Sequence, residues 1–283
     1  MIKIEFNKEN LIKSPLNYSG NKYKLLPQIL SLFPNNINTF YDLCGGSGTV
    51  LMNIKANKYI YNEINNNIKE LVEYIFECDN EEELKAIDNT IIENDLGKEH
   101  KEQYYKFRDS YNENPTSRDL FILSCYCLNY MTRFNKSGKF NQSSGNRAFS
   151  DNMRESFIKT NEFATWNNIE YFNKSFTEFN DFNKDDFIYI DPPYIQTVTT
   201  YTENGLWNLD KENEMYSYLD SLDKQGVKWA MSNTIKYRGV DNDIISEWAN
   251  KYNIHKLDFT YKNNNRWKKD NTLETIEVLI TNY

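Results

Sequence analysis

Histidine and cysteine are scarce in this sequence of 283 residues. There are two histidines, His100 and His255, and four cysteines, none of which forms a Cys-x-x-Cys pair. Zinc sites and hydrolases of the Ser-His or Cys-His type depend on clusters of these residue types. The two histidines lie far from each other and from any recognisable nucleophile. We therefore predict no metal site and no hydrolase of those types.

Long apolar runs are missing as well. No run approaches the roughly 18 residues that would cross a bilayer, and residues 1–14 lack the apolar stretch of a signal peptide. The sequence thus predicts a soluble, cytoplasmic protein with no membrane partner. With 39% hydrophobic residues, the chain can still bury a substantial core, either as one α/β domain or as a core domain with an insertion. We favour a core with one insertion.

The overall charge is acidic, but the basic residues are clustered. A net charge of −8, taken alone, argues against a nucleic-acid partner because phosphate binding requires Lys and Arg. Two stretches, 132–154 and 262–269, are nevertheless rich in Lys and Arg and nearly free of acids. A solvated loop could explain either one alone. Aromatic residues such as Phe134, Phe140 and Trp267 are interleaved with the cations, which favours a nucleic-acid surface.

The first part of the chain has the pattern of a βαβ unit. A short buried strand is predicted over 39–43, a glycine turn over 45–48 and an apolar-periodic helix over 49–56. A second strand over 58–62 and a second helix over 64–75 follow. This order is typical of an α/β nucleotide-binding fold.

The middle of the chain interrupts this alternation. From about residue 80 to 163 the strand patterns stop, and acidic helices, an apolar helix over 120–131 and the first basic stretch take their place. We interpret residues 78–165 as an inserted recognition region and residues 1–77 and 166–283 as the catalytic domain. The later predicted elements are strands over 186–190, 227–231 and 274–281 and helices over 212–222 and 243–251.

The segment Asp191-Pro192-Pro193-Tyr194 directly follows an apolar strand. This order places a carboxylate at the carboxyl end of a sheet strand, where α/β enzymes bind ligands. The two prolines stiffen the turn and remove two amide donors, so that nearby carbonyls can accept hydrogen bonds. An exocyclic aromatic amine is a poor nucleophile, and acceptors aimed at its hydrogens favour a tetrahedral nitrogen with an available lone pair. We expect Asp191 and the Pro192 carbonyl to be those acceptors and Tyr194 to stack on a flipped base.

Two further segments have the composition of a cofactor site. Glycines at 45, 46 and 48 allow close approach of a ligand to the backbone, although they also serve structural turns. Glu63 ends the next strand, where an acid can accept hydrogen bonds from ribose hydroxyls. Upstream, Tyr18 and Lys22 offer an aromatic platform and a cation in a polar loop before a helix.

The order of these segments resembles the Dam-like, alpha-type family of adenine-N6 DNA methyltransferases. The family opens with a segment like residues 16–22, Leu-Asn-Tyr-Ser-Gly-Asn-Lys, followed by the glycine motif, a target-recognition insertion and Asp-Pro-Pro-Tyr. The similarity spans nearly the whole chain. It includes residues 133–141, which look like the family's DNA-contacting hairpin, and the ending 279–283.

The resemblance implies the fold, the reaction and the partners. The fold would be the S-adenosylmethionine-dependent methyltransferase fold, a Rossmann-like α/β domain with a mixed, mostly parallel sheet and a helical target-recognition insertion. The reaction would move a methyl group from S-adenosyl-L-methionine to N6 of adenine in double-stranded DNA. A restriction-modification setting, with a cognate endonuclease acting separately, follows from the resemblance alone.

The resemblance also implies three sets of site residues. The expected catalytic residues are Asp191, Pro192, Pro193 and Tyr194. The expected cofactor-binding residues are Tyr18, Lys22, Asp42, Cys44, Gly45, Gly46, Gly48, Glu63, Phe176 and Asp191. The expected DNA-binding residues are Arg133, Asn135, Lys136, Lys139, Asn141 and Arg147.

The sequence departs from the family pattern in two places. Asp42-Leu-Cys-Gly-Gly-Ser-Gly48 stands where the family commonly has Glu-Pro-Phe-x-Gly-x-Gly. Residues 142–145 read Gln-Ser-Ser-Gly where relatives that recognise GATC have Val-Pro-Phe-Gly, so GATC recognition is not predicted. The alternatives that remain open are cytosine-N4 methylation, a DNA-binding protein without catalysis, and an RNA or protein-amide methyltransferase.

Overall fold

A mostly parallel sheet organises the protein, whose computed structural model describes residues 10–197, 207–258 and 274–283. In the described residues the strand order is β3-β2-β1-β4-β5-β8-β7, with the short β6 paired to β5. The strands are β1 Thr39–Asp42, β2 Lys58–Asn62, β3 Ile169–Phe172, β4 Phe187–Ile190, β5 Lys228–Tyr237, β6 Val240–Asp241, β7 Asn253–Leu257 and β8 Ile276–Thr281. The first five strands in this order pair in parallel, and β8 is antiparallel to both β5 and β7. The predicted mixed, mostly parallel α/β fold is confirmed.

Helices cover the sheet and make up much of the middle of the chain. They are α1 Leu26–Leu32, α2 Asn66–Glu77, α3 Asn80–Glu93, α4 Lys101–Glu113, α5 Ser117–Tyr126, α6 Asp151–Thr165, α7 Leu209–Lys224 and α8 Asp243–Ala249. Helices α3 to α6 fall within the predicted insertion. In the described part of the chain, no helix is both long and apolar enough to cross a membrane.

The alternation of side chains along the central strands creates two hydrophobic layers. In β4, Phe187 and Tyr189 face one layer, whereas Ile188 and Ile190 face the other. Large buried side chains of the insertion, such as Phe121, belong to the same layer as Phe187. The second layer lies beneath α7 and α8. A strand that is buried on both faces has a continuous apolar sequence, which explains why the strand β4 could be predicted from the sequence.

Most of the predicted elements are present, but the helix predicted over 49–56 is wrong. The chain there makes only a 3₁₀ turn over Leu51–Asn53 and becomes extended at Ile54. The Asn53 carboxamide exchanges hydrogen bonds with both backbone groups of Ile12 and donates to the carbonyl of Thr49. These tertiary contacts hold the segment in a short turn from which the chain leads into β2.

The helix predicted over 120–131 is also shorter than expected. Helix α5 ends at Tyr126, and Cys127 is extended, with φ −75° and ψ 163°. A 3₁₀ turn over Leu128–Tyr130 follows, with Asn129 at φ 57°. The backbone of residue 128 instead pairs with Ser143.

Strands β3 and β7 were not predicted from the sequence. Both are short and carry polar residues at several positions.

Helix α6 is tied to α2 by one buried side chain. The Asn161 amide nitrogen lies 3.0 Å from the carbonyl oxygen of Phe76 and 2.7 Å from that of Cys78. These carbonyls stand at the carboxyl end of α2, where helical partners are missing.

The division into a catalytic domain and an insertion remains a prediction. The basic stretch 262–269 lies outside the described residues.

We expect Asn161→Ala to destabilise the protein by about 1–3 kcal/mol, the usual penalty for leaving buried polar groups unsatisfied. Urea unfolding followed by circular dichroism would measure the change. Asn152→Ala, at an exposed position in the same helix, is the control and should have little effect. Equal midpoints for the two variants would contradict this assignment.

Candidate active site

A cavity of about 800 Å³ opens at the carboxyl ends of the central parallel strands. Strand β1 is paired with β2 on one side and with β4 on the other, which makes the β1–β4 boundary the topological switch point where such folds bind ligands. Asp42 ends β1, and Glu63 and Asp191 directly follow β2 and β4. The strand order therefore brings three carboxylates, far apart in sequence, to one edge of the sheet.

Asp191 lies at the centre of a group of polar side chains in this cavity. Its Oδ2 is 2.7 Å from Lys22 Nζ, and its Oδ1 is 3.1 Å from the hydroxyl of Tyr194. The same hydroxyl is 3.3 Å from Glu277 Oε2 on β8. The Lys22 ammonium also donates to the carbonyl of Gly20 and lies 5.1 Å from the centroid of the Tyr194 ring. The predicted residues Lys22, Asp191 and Tyr194 are thus in direct contact.

Burial and charge act in opposite directions on Asp191. The pKa of its carboxyl group is raised above the ordinary value, because the effect of burial exceeds the lowering by the positive charge of Lys22. The negative charge of Glu277 raises the same pKa, while the hydrogen bond from Tyr194 lowers it. For Tyr194, burial together with the charges of Asp191 and Glu277 raises the pKa of the phenol well above its usual range. Its hydroxyl therefore stays protonated and can donate a hydrogen bond.

The carboxylate of Glu63 closes the glycine turn. Its Oε2 accepts a hydrogen bond from Gly46 N at 3.1 Å, and its Oε1 accepts one from Asn65 N at 2.8 Å. Both oxygens therefore hold the backbone at the start of the segment that follows β2 and at the glycine turn. Glu63 itself is one of the cavity-lining residues.

The glycines of the turn are required by neighbouring rings of the protein itself. A Cβ at Gly45 would lie 2.3 Å from the Tyr61 ring, and one at Gly46 would lie 2.9 Å from the Tyr18 ring. Gly46 also has φ +50°, a region that favours glycine. The Tyr61 hydroxyl donates to the carbonyl of Gly46 at 2.6 Å. Packing alone therefore accounts for glycine at these positions, and contact of the turn with a cofactor remains a prediction.

Asp42 and Cys44 occupy the start of the same turn. Cys44 lines the cavity, whereas Asp42 is buried behind it. Among the described residues, Asp42 Oδ1 is a buried oxygen with no hydrogen-bond partner. Burial, followed by the charges of Asp191 and Glu63, raises the pKa of Asp42 well above its usual range. Burial likewise raises the pKa of the Cys44 thiol well above its usual range, which makes it a poor nucleophile.

The two predicted aromatic cofactor residues, Tyr18 and Phe176, line the cavity. Phe176 is 7% exposed and begins a 3₁₀ turn, Phe176–Glu178, that is capped by Ser175. Its ring lies 5.5 Å from that of Tyr218 on α7. It therefore gives the cavity a fixed, flat apolar wall.

The predicted DNA-binding residues lie outside this cavity, on the insertion. Phe134 and Phe140 form an isolated antiparallel bridge, and the amide of Asn135 donates to the carbonyl of Lys139 at 2.9 Å. The side-chain oxygen of Asn135 accepts bonds from the backbone of Ser137 and Lys139, so it shapes the turn. The exposed members of the predicted set are Arg133, Lys136, Lys139, Asn141 and Arg147. Met131 and Thr132, just before the hairpin, do line the cavity.

Several cavity residues were missed by the sequence analysis. Glu277 is 5% exposed in the otherwise apolar strand β8. A single acid in a buried strand is unusual, and this signal could have identified it. The other missed cavity residues include Asn62, Lys174, Gln196, Trp207, Lys211, Tyr237 and Arg238.

Comparison with known proteins identifies a family over most of the chain. Residues 18–263 match the family described as D12 class N6 adenine-specific DNA methyltransferase. This range includes every predicted catalytic and DNA-binding residue.

Similar proteins include two bacterial methylases. The chain is 39% identical over 287 residues to modification methylase StsI of Streptococcus sanguinis, and the aligned region covers 96% of this chain and 43% of that protein. It is 37% identical over 294 residues to the type II methyltransferase M.FokI of Planomicrobium okeanokoites, covering 99% of this chain and 45% of that protein. The chain thus spans less than half the length of these relatives.

The charges around Asp191 lead to a pair of opposite predictions. Lys22→Gln should raise the pKa of Asp191, because a neighbouring positive charge is lost, and Glu277→Gln should lower it, because a negative charge is lost. Carbon-13 NMR titration of aspartate-labelled protein would measure both shifts, with Asp191→Asn used for assignment. Lys228→Gln, at the far end of β5, is the control. Shifts of the same sign in the two variants would contradict the described arrangement.

Proposed function

The chain belongs to the D12 class of N6 adenine-specific DNA methyltransferases, and we propose that it transfers a methyl group from S-adenosylmethionine to the N6 amino group of adenine in duplex DNA. The observation that carries this proposal is the position of Asp191. It stands at the end of β4, paired with Lys22 and followed by Pro192, Pro193 and Tyr194 on the wall of one cavity. The Asp191 carboxylate is therefore a hydrogen-bond acceptor on the wall of a cavity that a planar amine can enter.

The residues around the cavity fit S-adenosylmethionine. Three acids, Glu63, Asp191 and Glu277, and four cations, Lys22, Lys174, Lys211 and Arg238, line it, and Lys22 is in contact with Asp191. The carboxylates offer partners for the positively charged sulfur and the ammonium group of the cofactor.

The individual contacts follow from this fit. We assign Glu63 to the ribose hydroxyls and Phe176 to packing against the adenine of the cofactor. Tyr18 and Lys22 would complete the cofactor side of the cavity, next to the glycine turn. When bound, S-adenosylmethionine supplies an electrophilic methyl group, whose C–S electron pair stays on sulfur as the N6 lone pair forms the new N–C bond.

Asp191 and the Pro192 carbonyl orient the target amine. Each accepts one hydrogen of the N6 amino group, which directs the nitrogen lone pair toward the methyl group. The positive charge of Lys22 lowers the pKa of Asp191 against the effect of burial, and so favours the carboxylate form that can accept. The methylated nitrogen carries an acidic proton, which passes to water, so no strong base is required.

Tyr194 holds the base in the cavity. A paired adenine cannot present N6 to a buried carboxylate, so the nucleotide must rotate out of the duplex. The Tyr194 ring would then pack against the extruded base, where stacking on an aromatic side chain is typically worth about 1–3 kcal/mol.

Recognition of the duplex is assigned to the insertion, residues 78–165, and catalysis to residues 1–77 and 166–283. The cations Arg133, Lys136 and Lys139 are exposed on the insertion hairpin, next to cavity-lining Thr132. This proximity lets the same surface contact DNA and present a base to Asp191. The names of the relatives support a restriction-modification role, with any cognate endonuclease acting as a separate protein.

We expect Asp191→Asn to lower methyl transfer about 10²-fold or more, as is typical when a group that stabilises transition-state charge is removed. Transfer of a radiolabelled methyl group from S-adenosylmethionine to plasmid DNA would measure it. Asp185→Asn, an exposed position just before β4, is the matched control and should retain wild-type activity.

Two results would count against the proposal. Wild-type activity in Asp191→Asn would remove Asp191 from the reaction. Incorporation of label into RNA or protein, but not into DNA, by the wild type would contradict the assigned substrate.

A further inference from the structure

The hairpin between β5 and β6 places an arginine at the cavity that contains Asp191. Tyr237 and Arg238 both line that cavity, although they belong to the catalytic domain and not to the insertion. The Arg238 guanidinium lies 5.3 Å from the centroid of the Tyr237 ring, and the arginine is exposed. An aromatic ring and a cation therefore lie together at the cavity, on a segment that is distant in sequence from the insertion hairpin.

The shape of this turn does not explain an arginine. Tyr237 pairs with Val240, which leaves Arg238 and Gly239 as a two-residue loop. Their φ values are +48° and +80°, as in the type I′ turns that favour Asn-Gly. Positive φ is disfavoured for a residue with a long side chain. Arginine thus occupies a position where asparagine or glycine would strain the backbone less.

The loop is fixed by contacts on both sides. Arg238 N donates to Thr275 Oγ1 at 3.1 Å, and Gly239 N donates to the carbonyl of Glu274 at 2.8 Å. Lys236 Nζ lies 3.2 Å from a carboxylate oxygen of Glu274 and 3.3 Å from one of Asp241. The neighbouring acids are therefore paired with Lys236, and the guanidinium extends from a well-anchored backbone.

Arg238, like Lys174, contacts an aromatic ring, whereas the other two cations of the cavity are each paired with a carboxylate. Lys22 is paired with Asp191 and Lys211 with Glu214, while the Lys174 ammonium lies 4.0 Å from the centroid of the Phe179 ring. Across the described ranges of the chain, no carboxylate forms an ion pair with Arg238. Its charge is available to an external anion.

We propose that Arg238 binds a backbone phosphate of the DNA strand beside the extruded adenine, with Tyr237 supporting its guanidinium. This inference rests on the proposed function. A nucleotide that leaves the duplex remains covalently linked to its neighbours, so its flanking phosphates are drawn toward the cavity with it. Arginine matches phosphate geometry with two parallel hydrogen bonds. The site therefore selects a nucleic-acid strand by its backbone and carries no base preference.

A direct link joins this phosphate site to the catalytic segment. The Gln196 amide nitrogen lies 3.0 Å from the carbonyl oxygen of Asp241 and 3.3 Å from that of Val240. Gln196 follows closely after Tyr194, so the hairpin and the Asp-Pro-Pro-Tyr segment are held together. A phosphate on Arg238 is therefore fixed relative to the residues that hold the base.

The test compares Arg238→Gln, Arg238→Lys and the control Lys228→Gln, an exposed lysine at the opposite end of the same strand. Glutamine and lysine retain a long side chain at the positive-φ position, so both report on charge and not on backbone strain. The KM for plasmid DNA is measured over a series of salt concentrations, and binding of labelled S-adenosylmethionine is measured by equilibrium dialysis.

We expect Arg238→Gln to raise the KM for DNA and to reduce the slope of log KM against log salt by about 0.9, the value for loss of one phosphate contact. Cofactor binding should be unchanged, and Arg238→Lys should retain most of the wild-type salt dependence. A KM and slope for Arg238→Gln equal to those of the wild type and Lys228→Gln would overturn the inference while leaving the proposed function intact. A wild type that methylates no DNA would overturn both.

Discussion

The ion pair between Lys22 and Asp191 is the interaction on which the rest of the site depends. Three acids, Glu63, Asp191 and Glu277, line the cavity together with four cations. Burial and the nearby negative charge of Glu277 would favour the neutral form of Asp191. Lys22, held at 2.7 Å and almost fully buried, counters both effects. It limits the rise in the pKa of Asp191 and so favours the carboxylate form, which accepts hydrogen bonds.

The sheet explains how residues from distant parts of the sequence reach this ion pair. Parallel pairing aligns the carboxyl ends of β1, β2 and β4, so the segments that follow them share one edge. The antiparallel strand β8 brings Glu277 to the same place. The hairpin that follows β5 adds Tyr237 and Arg238. One sheet edge therefore combines an amine acceptor, carboxylates that can contact the cofactor and a candidate phosphate contact.

The sequence predicted those parts of the site whose chemistry and secondary structure are local. Phe187–Ile190 is apolar throughout, because it is buried on both faces, and the acid and prolines after it mark its end. Glu277 escaped prediction because its contact with Tyr194 joins residues 83 positions apart. Arg238 escaped prediction because its loop reaches the cavity only through the pairing of β5 with the distant β4. The wrong helix over 49–56 has a similar cause, since the Asn53 side chain bonds to the distant Ile12. The roles of the predicted site residues, as distinct from their positions, remain predictions.

We propose that the cavity presents Asp191 to the N6 amino group of adenine. The same acceptors could activate the amino group of cytosine, so the identity of the methylated base is the most direct test. DNA treated with the protein and S-adenosylmethionine can be digested to nucleosides and analysed by mass spectrometry. We expect N6-methyl-2′-deoxyadenosine as the product, and the appearance of N4-methyl-2′-deoxycytidine in its place would contradict the proposed role of Asp191.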